Sequence, residues 1–86
     1  MIVRRRHQFI KQFKKLDSRL KCKAEQVIAL FMNHPTHPSL RNHALRGTPK
    51  GNRTSSVAAN VRIIFQEFDD YVLVLFIDIG GHDMYR

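Results

Sequence analysis

Two apolar stretches lie close together near the end of this chain, Val61-Arg62-Ile63-Ile64-Phe65 and Tyr71-Val72-Leu73-Val74-Leu75-Phe76-Ile77. Both are strand-sized and rich in β-branched and aromatic residues. Asp69-Asp70 between them supplies a turn. The second stretch has no polar alternation, which predicts a central strand covered at least in part on both faces. Such a strand needs neighbours in a sheet and a layer packed on it. Directly after it comes Asp78-Ile79-Gly80-Gly81-His82-Asp83-Met84-Tyr85-Arg86. A glycine turn there delivers a titratable histidine, a phenol and a guanidinium just past a rigid platform.

The rest of the chain supplies that layer. Met1 to Arg5 reads as a short first strand, followed by a helix from about His7 to Leu16. Phe9, Ile10, Phe13 and Leu16 share one helical face, with Lys11, Lys14 and Lys15 elsewhere. Asp17 or Ser18 caps a second helix, in which Leu20, Ala24, Val27, Ile28 and Phe31 keep the helical spacing. Asn33-His34-Pro35 ends it, because the residue before a proline is pushed out of the helical region. Residues 34–53 hold all three prolines and three of the five histidines, marking a loop-rich region in which Leu40 to Arg46 forms a short strand. Thr54 to Ala58 resumes an extended pattern, and Asn60 sits at a tight hairpin corner before Val61. The expected architecture is one α+β domain of order β-α-α-β-β-β. Its N-terminal helical hairpin packs on a small twisted antiparallel β-sheet.

Charge divides the chain. Residues 1–53 hold thirteen Lys/Arg against Asp17 and Glu25, which is +11; residues 54–86 hold two Arg against five acidic residues, which is −3; together they make the net +8. So basic a half points to a polyanionic partner, either nucleic acid or an acidic protein that masks it. The single Cys22 excludes an intrachain disulfide and a CxxC site, and it is expected to pack as a small apolar side chain. No apolar run reaches membrane-spanning length, and Met1-Ile2-Val3-Arg4-Arg5-Arg6 lacks the features of a secretory signal. The expected location is the cytoplasm, with no membrane partner.

Four segments resemble the RelE/ParE superfamily of bacterial type II toxins, in particular its YafQ-like branch. They are Phe9-Ile10-Lys11-Gln12-Phe13-Lys14-Lys15-Leu16, His43-Ala44-Leu45-Arg46-Gly47, Val61-Arg62-Ile63-Ile64-Phe65 and Asp78-Ile79-Gly80-Gly81-His82-Asp83-Met84-Tyr85. Their order and spacing cover essentially the whole chain. The resemblance implies two helices on a twisted sheet and a ribosome-dependent mRNA interferase, a metal-free endoribonuclease needing no cofactor. It also implies a cognate acidic antitoxin, with which the toxin forms a hetero-oligomer. Two alternatives stay open: a ParE-like gyrase inhibitor without catalysis, and an inactive RNA-binding member.

Metal-free RNA cleavage needs a group that takes the 2′-OH proton, an acid for the leaving 5′-oxygen and donors for the charged phosphorane. Histidine suits the first two tasks and arginine the third. The resemblance maps His43 and His82 onto catalytic histidines and Arg62 onto a strand arginine that contacts the scissile phosphate. Tyr85 corresponds to a C-terminal aromatic that stacks on a base or orients the reacting groups. Arg46, Lys50, Arg53 and Arg86 are the candidate RNA-phosphate contacts. The sequence departs from the YafQ-like pattern at Ser56, where relatives place a histidine, and at Asn60, where they place an acid. His34 and His37 border prolines and read as loop residues. With His43 they lack the accompanying carboxylate or thiolate of a metal site.

Overall fold

The structure, a computed structural model, describes residues 1–46 and 51–81. Strand β1 (Ile2–Arg5) leads into helices α1 (His7–Lys14) and α2 (Ser18–Asn33). A 3-10 turn at Pro38–Leu40 precedes β2 (His43–Ala44), β3 (Arg53–Ala58), β4 (Val61–Phe68) and β5 (Leu73–Gly80). The strands form one sheet in the order β1-β5-β4-β3-β2.

The α+β layering is as expected, with two differences in the sheet. It is mixed, because β1 runs parallel to β5 with Ile2 opposite Leu73 and Arg5 opposite Phe76. Both helices lie between these strands in sequence, so the chain has the crossover that a parallel pair requires. The short strand expected from Leu40 to Arg46 is only the two-residue β2, which adds a fifth strand to the sheet and pairs His43 with Thr54 and Ala44 with Arg53. Strand β5 has neighbours on both sides, one buried face and one half-buried face.

Helix α1 has only eight residues and no side-chain cap at Arg6, so it depends on packing. Phe9 is fully buried, with its ring 5.2 Å from Phe76 and 6.0 Å from Phe13. Helix α2 is capped by Asp17, whose Oδ1 accepts from the Leu20 N–H at 2.8 Å. Its Ala24, Val27, Ile28 and Phe31 face the sheet, and Phe31 sets its ring edge-on to Phe65, Phe76 and Tyr71. Burying an aromatic ring of this kind contributes about 2–3 kcal/mol. Cys22, expected to pack inward, is exposed on the opposite side of α2. Among the described residues no helix is long and apolar enough to cross a membrane.

Alternation along β4 sends Ile63 and Phe65 into the helix-covered core and leaves Arg62 and Ile64 on the other face. The β3–β4 hairpin turns through Ala59-Asn60, with Ala58 opposite Val61 and the register shifted beside Val57. Alternation along β3 puts Val57 in the core, while Thr54 and Ser56 share the open face with Arg62.

Candidate active site

The open face of the β3–β4 hairpin floors a cleft of about 290 Å³, lined by Arg41, His43, Thr54, Ser56, Ala58, Ala59, Val61 and Arg62. Two guanidiniums, one imidazole and two hydroxyls therefore share one concavity. Arg62 enters from β4, where it sits opposite Ser56 on one side and Gly80 on the other. Its Nε is closed off from solvent and has no hydrogen-bond partner among the described residues. Thr54 Oγ1 is likewise buried without a partner. A buried donor left unmade costs about 1–3 kcal/mol, and an anion in the cleft would relieve that cost.

Arg41 arrives on the loop that follows the 3-10 turn, and His43 opens β2 just after it. Arg41 adopts the left-handed conformation, φ 49°. Its carbonyl lies 2.6 Å from His43 Nδ1. A carbonyl only accepts, so Nδ1 carries the proton and the neutral ring keeps its lone pair on Nε2. An exposed imidazole in that tautomer can take a proton at Nε2.

The structure brings His43 and Arg62 together. Arg53 faces elsewhere: it is half-buried, and its Nε donates to Asn42 Oδ1 at 2.9 Å. Arg46 is exposed at the turn after β2, outside the cleft lining. His82, Tyr85, Arg86 and Lys50 lie outside the described residues. Gly81, which precedes His82, does lie within them. A Cβ there would come 3.1 Å from the Asn60 carbonyl oxygen, so the chain passes tightly against the hairpin turn. Ser56 occupies the cleft and Asn60 the turn beside it, so both departures from the YafQ-like pattern fall at the site.

His34 ends α2, and His37 caps the 3-10 turn by accepting from the Ser39 N–H at 3.1 Å, as expected of loop residues. Among the described residues no three His, Cys, Asp or Glu side chains converge as metal ligands. Sequence reasoning missed Arg41 and Thr54. Arg41 carried one usable signal, its place two residues before His43 in a basic loop. Thr54 was visible only as a strand residue.

A second depression adjoins the cleft between α2 and β3. It is lined by Lys23, Gln26, Val27, Leu30, Ser39, Leu40 and Val57, and it shares Arg41, Ser56, Ala58 and Ala59 with the cleft. Its floor is aliphatic and its rim is basic.

No family model matches the chain, and no curated protein matches it. Solved structures do. YafQ from E. coli strain BL21(DE3) superposes with a TM-score of 0.79 at 23% identity, over 95% of this chain and 93% of that one. The E. coli DinJ-YafQ complex gives 0.78 at 23% identity, over 95% and 93%. A YoeB/ParE toxin from Agrobacterium tumefaciens gives 0.77 at 15% identity, over 95% and 99%. Likeness at this level of identity speaks to architecture, and on that ground the chain has the YafQ-like fold of the RelE/ParE toxins.

Proposed function

We propose that this chain is the toxin of a type II toxin-antitoxin pair and that it cleaves ribosome-bound mRNA as a metal-independent endoribonuclease. The toxin role is supported by the fold shared with YafQ and the YoeB/ParE toxin. The nuclease chemistry is supported above all by the buried Arg62 Nε, which has no partner among the described residues, in a cleft beside a His43 ring whose Nε2 is free to accept a proton.

In this reading His43 Nε2 takes the proton of the 2′-OH. The 2′-oxygen forms a bond to the adjacent phosphorus as the bond to the 5′-oxygen breaks, leaving a 2′,3′-cyclic phosphate. His82, in its protonated form, supplies the proton that completes the 5′-OH. Arg62 and Arg41 hold the non-bridging oxygens as charge builds on them. Tyr85 stacks on a flanking base, and Arg46, Lys50 and Arg86 hold flanking phosphates. Arg53, tied to Asn42, supports the loop from behind.

The partner in the inactive state is a cognate acidic antitoxin, as DinJ is found with YafQ in solved complexes. The depression along α2 suits an acidic amphipathic segment, with apolar side chains on Val27, Leu30 and Leu40 and carboxylates on Lys23 and Arg41. A segment seated there would cover Arg41 and close the cleft.

Primer extension on cellular mRNA after brief induction tests the enzyme, with Arg62→Met and His43→Gln beside the parent. The parent is expected to give new in-frame 5′ ends, and each variant to lower their yield by about 10²–10³-fold. Arg62→Met should also gain up to about 1 kcal/mol of stability, because it removes a buried, unpaired donor. Growth arrest without new ends would replace the nuclease by a protein target of the gyrase kind. No arrest at all would leave an RNA-binding member without activity.

A further inference from the structure

Asn42 lies between Arg41 and His43, which both line the cleft, and its side chain makes three hydrogen bonds. Its Nδ2 donates to the Pro35 carbonyl at 2.8 Å and to Tyr71 Oη at 2.9 Å. Its Oδ1 accepts from Arg53 Nε at 2.9 Å. One half-buried amide thus joins four pieces of the fold: the exit of α2, the cleft loop, the start of β3 and the turn before β5. Tyr71 is itself fixed, with its N–H donating to Glu67 Oε2 at 2.9 Å and its ring edge-on to Phe31 at 6.1 Å.

We infer that Asn42 is the positioning residue of this site, clamping the loop so that the Arg41 carbonyl holds His43 in the Nδ1–H tautomer and leaves Nε2 as the proton acceptor. The inference rests on reading His43 as that acceptor. The geometry links clamp to ring in two steps. Arg41 takes a left-handed conformation that residues other than glycine adopt only when their surroundings impose it. Asn42, the next residue, is fixed by its three hydrogen bonds, while the Arg41 N–H is held by the Pro38 carbonyl at 3.2 Å. The carbonyl of Arg41 then meets His43 Nδ1 at 2.6 Å. Strand β2 has only two residues, so its ladder alone is a weak hold on the ring.

The tautomer can be read without RNA or ribosome, from long-range ¹H–¹⁵N correlation of the ring nitrogens at a pH where the imidazole is neutral. The parent is expected to show the Nδ1–H pattern for His43. Asn42→Ala is expected to lose it, moving toward the Nε2–H form that free histidine favours. Val74→Ala, a core truncation on β5, is the control: it lowers the thermal midpoint and should leave the His43 pattern intact. If Asn42→Ala does not fold, Tyr71→Phe takes its place, keeping the ring on Phe31 while removing one acceptor of the clamp. An unchanged His43 pattern in a folded clamp variant overturns the proposal, as does an equal loss in Val74→Ala. Because the chain need not cut RNA for this reading, a failure of the clamp is distinct from a failure of the nuclease assignment.

Discussion

Arg62 and Asp78 sit on neighbouring strands and carry opposite kinds of strain. The cost at Arg62 is an unmade hydrogen bond, and a bound anion would cancel it. The cost at Asp78 is desolvation. Burial pushes its carboxyl above the usual 3.8, while the Ile79 N–H, at 2.9 Å from Oδ1, and the Gln8 side chain partly offset the rise. The folded value then exceeds the unfolded one. Between the two, the native state holds a proton that the unfolded state has released, so stability falls as pH rises through that window. Above it the loss is complete and constant. Asp78→Asn keeps an oxygen for the Ile79 N–H and carries no charge. It is expected to be more stable than the parent at neutral pH, with the advantage fading as pH drops through the window. Urea midpoints measured across pH for both proteins check this; a less stable Asp78→Asn at neutral pH would show that the hydrogen bonds outweigh burial.

The turn between β4 and β5 is an element with a backbone of its own. Asp69, Asp70 and Tyr71 all have positive φ, at 56°, 56° and 67°. The Val72 N–H reaches the Phe68 carbonyl at 3.1 Å, closing one turn of left-handed helix. Each such residue costs about 1–2 kcal/mol relative to a right-handed one. Asp70→Gly is therefore expected to stabilise the domain by about 0.5–1 kcal/mol after its own entropic loss. Equilibrium unfolding decides it, and a destabilised variant would mean that the Asp70 side chain contributes more than its backbone costs. This turn also shows where sequence reading stops. Apolar spacing located both helices and all the long strands, because burial follows side-chain type. It ended β4 at Phe65 instead of Phe68 and began β5 at Tyr71 instead of Leu73, because the pattern carries no record of φ. The parallel β1–β5 pair was invisible for a related reason: it joins Ile2 to Leu73, and no local signal reports such a contact. At the cleft, His43 and Arg62 are the residues that the family resemblance marks. Arg41, Asn42 and Thr54 carry no such mark, since their places come from a left-handed loop residue, three side-chain hydrogen bonds and the pairing of Thr54 with Ile64 on the open face.

Across the whole molecule, charge is arranged along the sheet. Arg62 stands near the start of β4 at the cleft, and Asp69-Asp70 follow its far end, about 20 Å away at strand rise. Lys23 and Arg41 border the adjoining depression, so cations gather around the cleft. A polyanion approaching such a molecule is drawn to one end before any specific contact forms. That field belongs to solvated charges, and salt should weaken it. If the cleft and its neighbouring groups neutralise three to four phosphates, affinity for a short single-stranded RNA should fall roughly ten- to a hundredfold between about 50 and 200 mM salt. The position of the charge matters as much as its amount. Arg41→Glu should flatten the dependence of log affinity on log salt, because it removes a phosphate contact and replaces it with repulsion. Asp70→Lys adds the same two units of charge, with opposite sign, at the far end and should leave the slope nearly unchanged. Fluorescence anisotropy of a labelled oligonucleotide, titrated at several salt concentrations, separates the two variants. Equal changes in slope would mean that RNA responds to net charge alone and that the cleft is not where its phosphates sit.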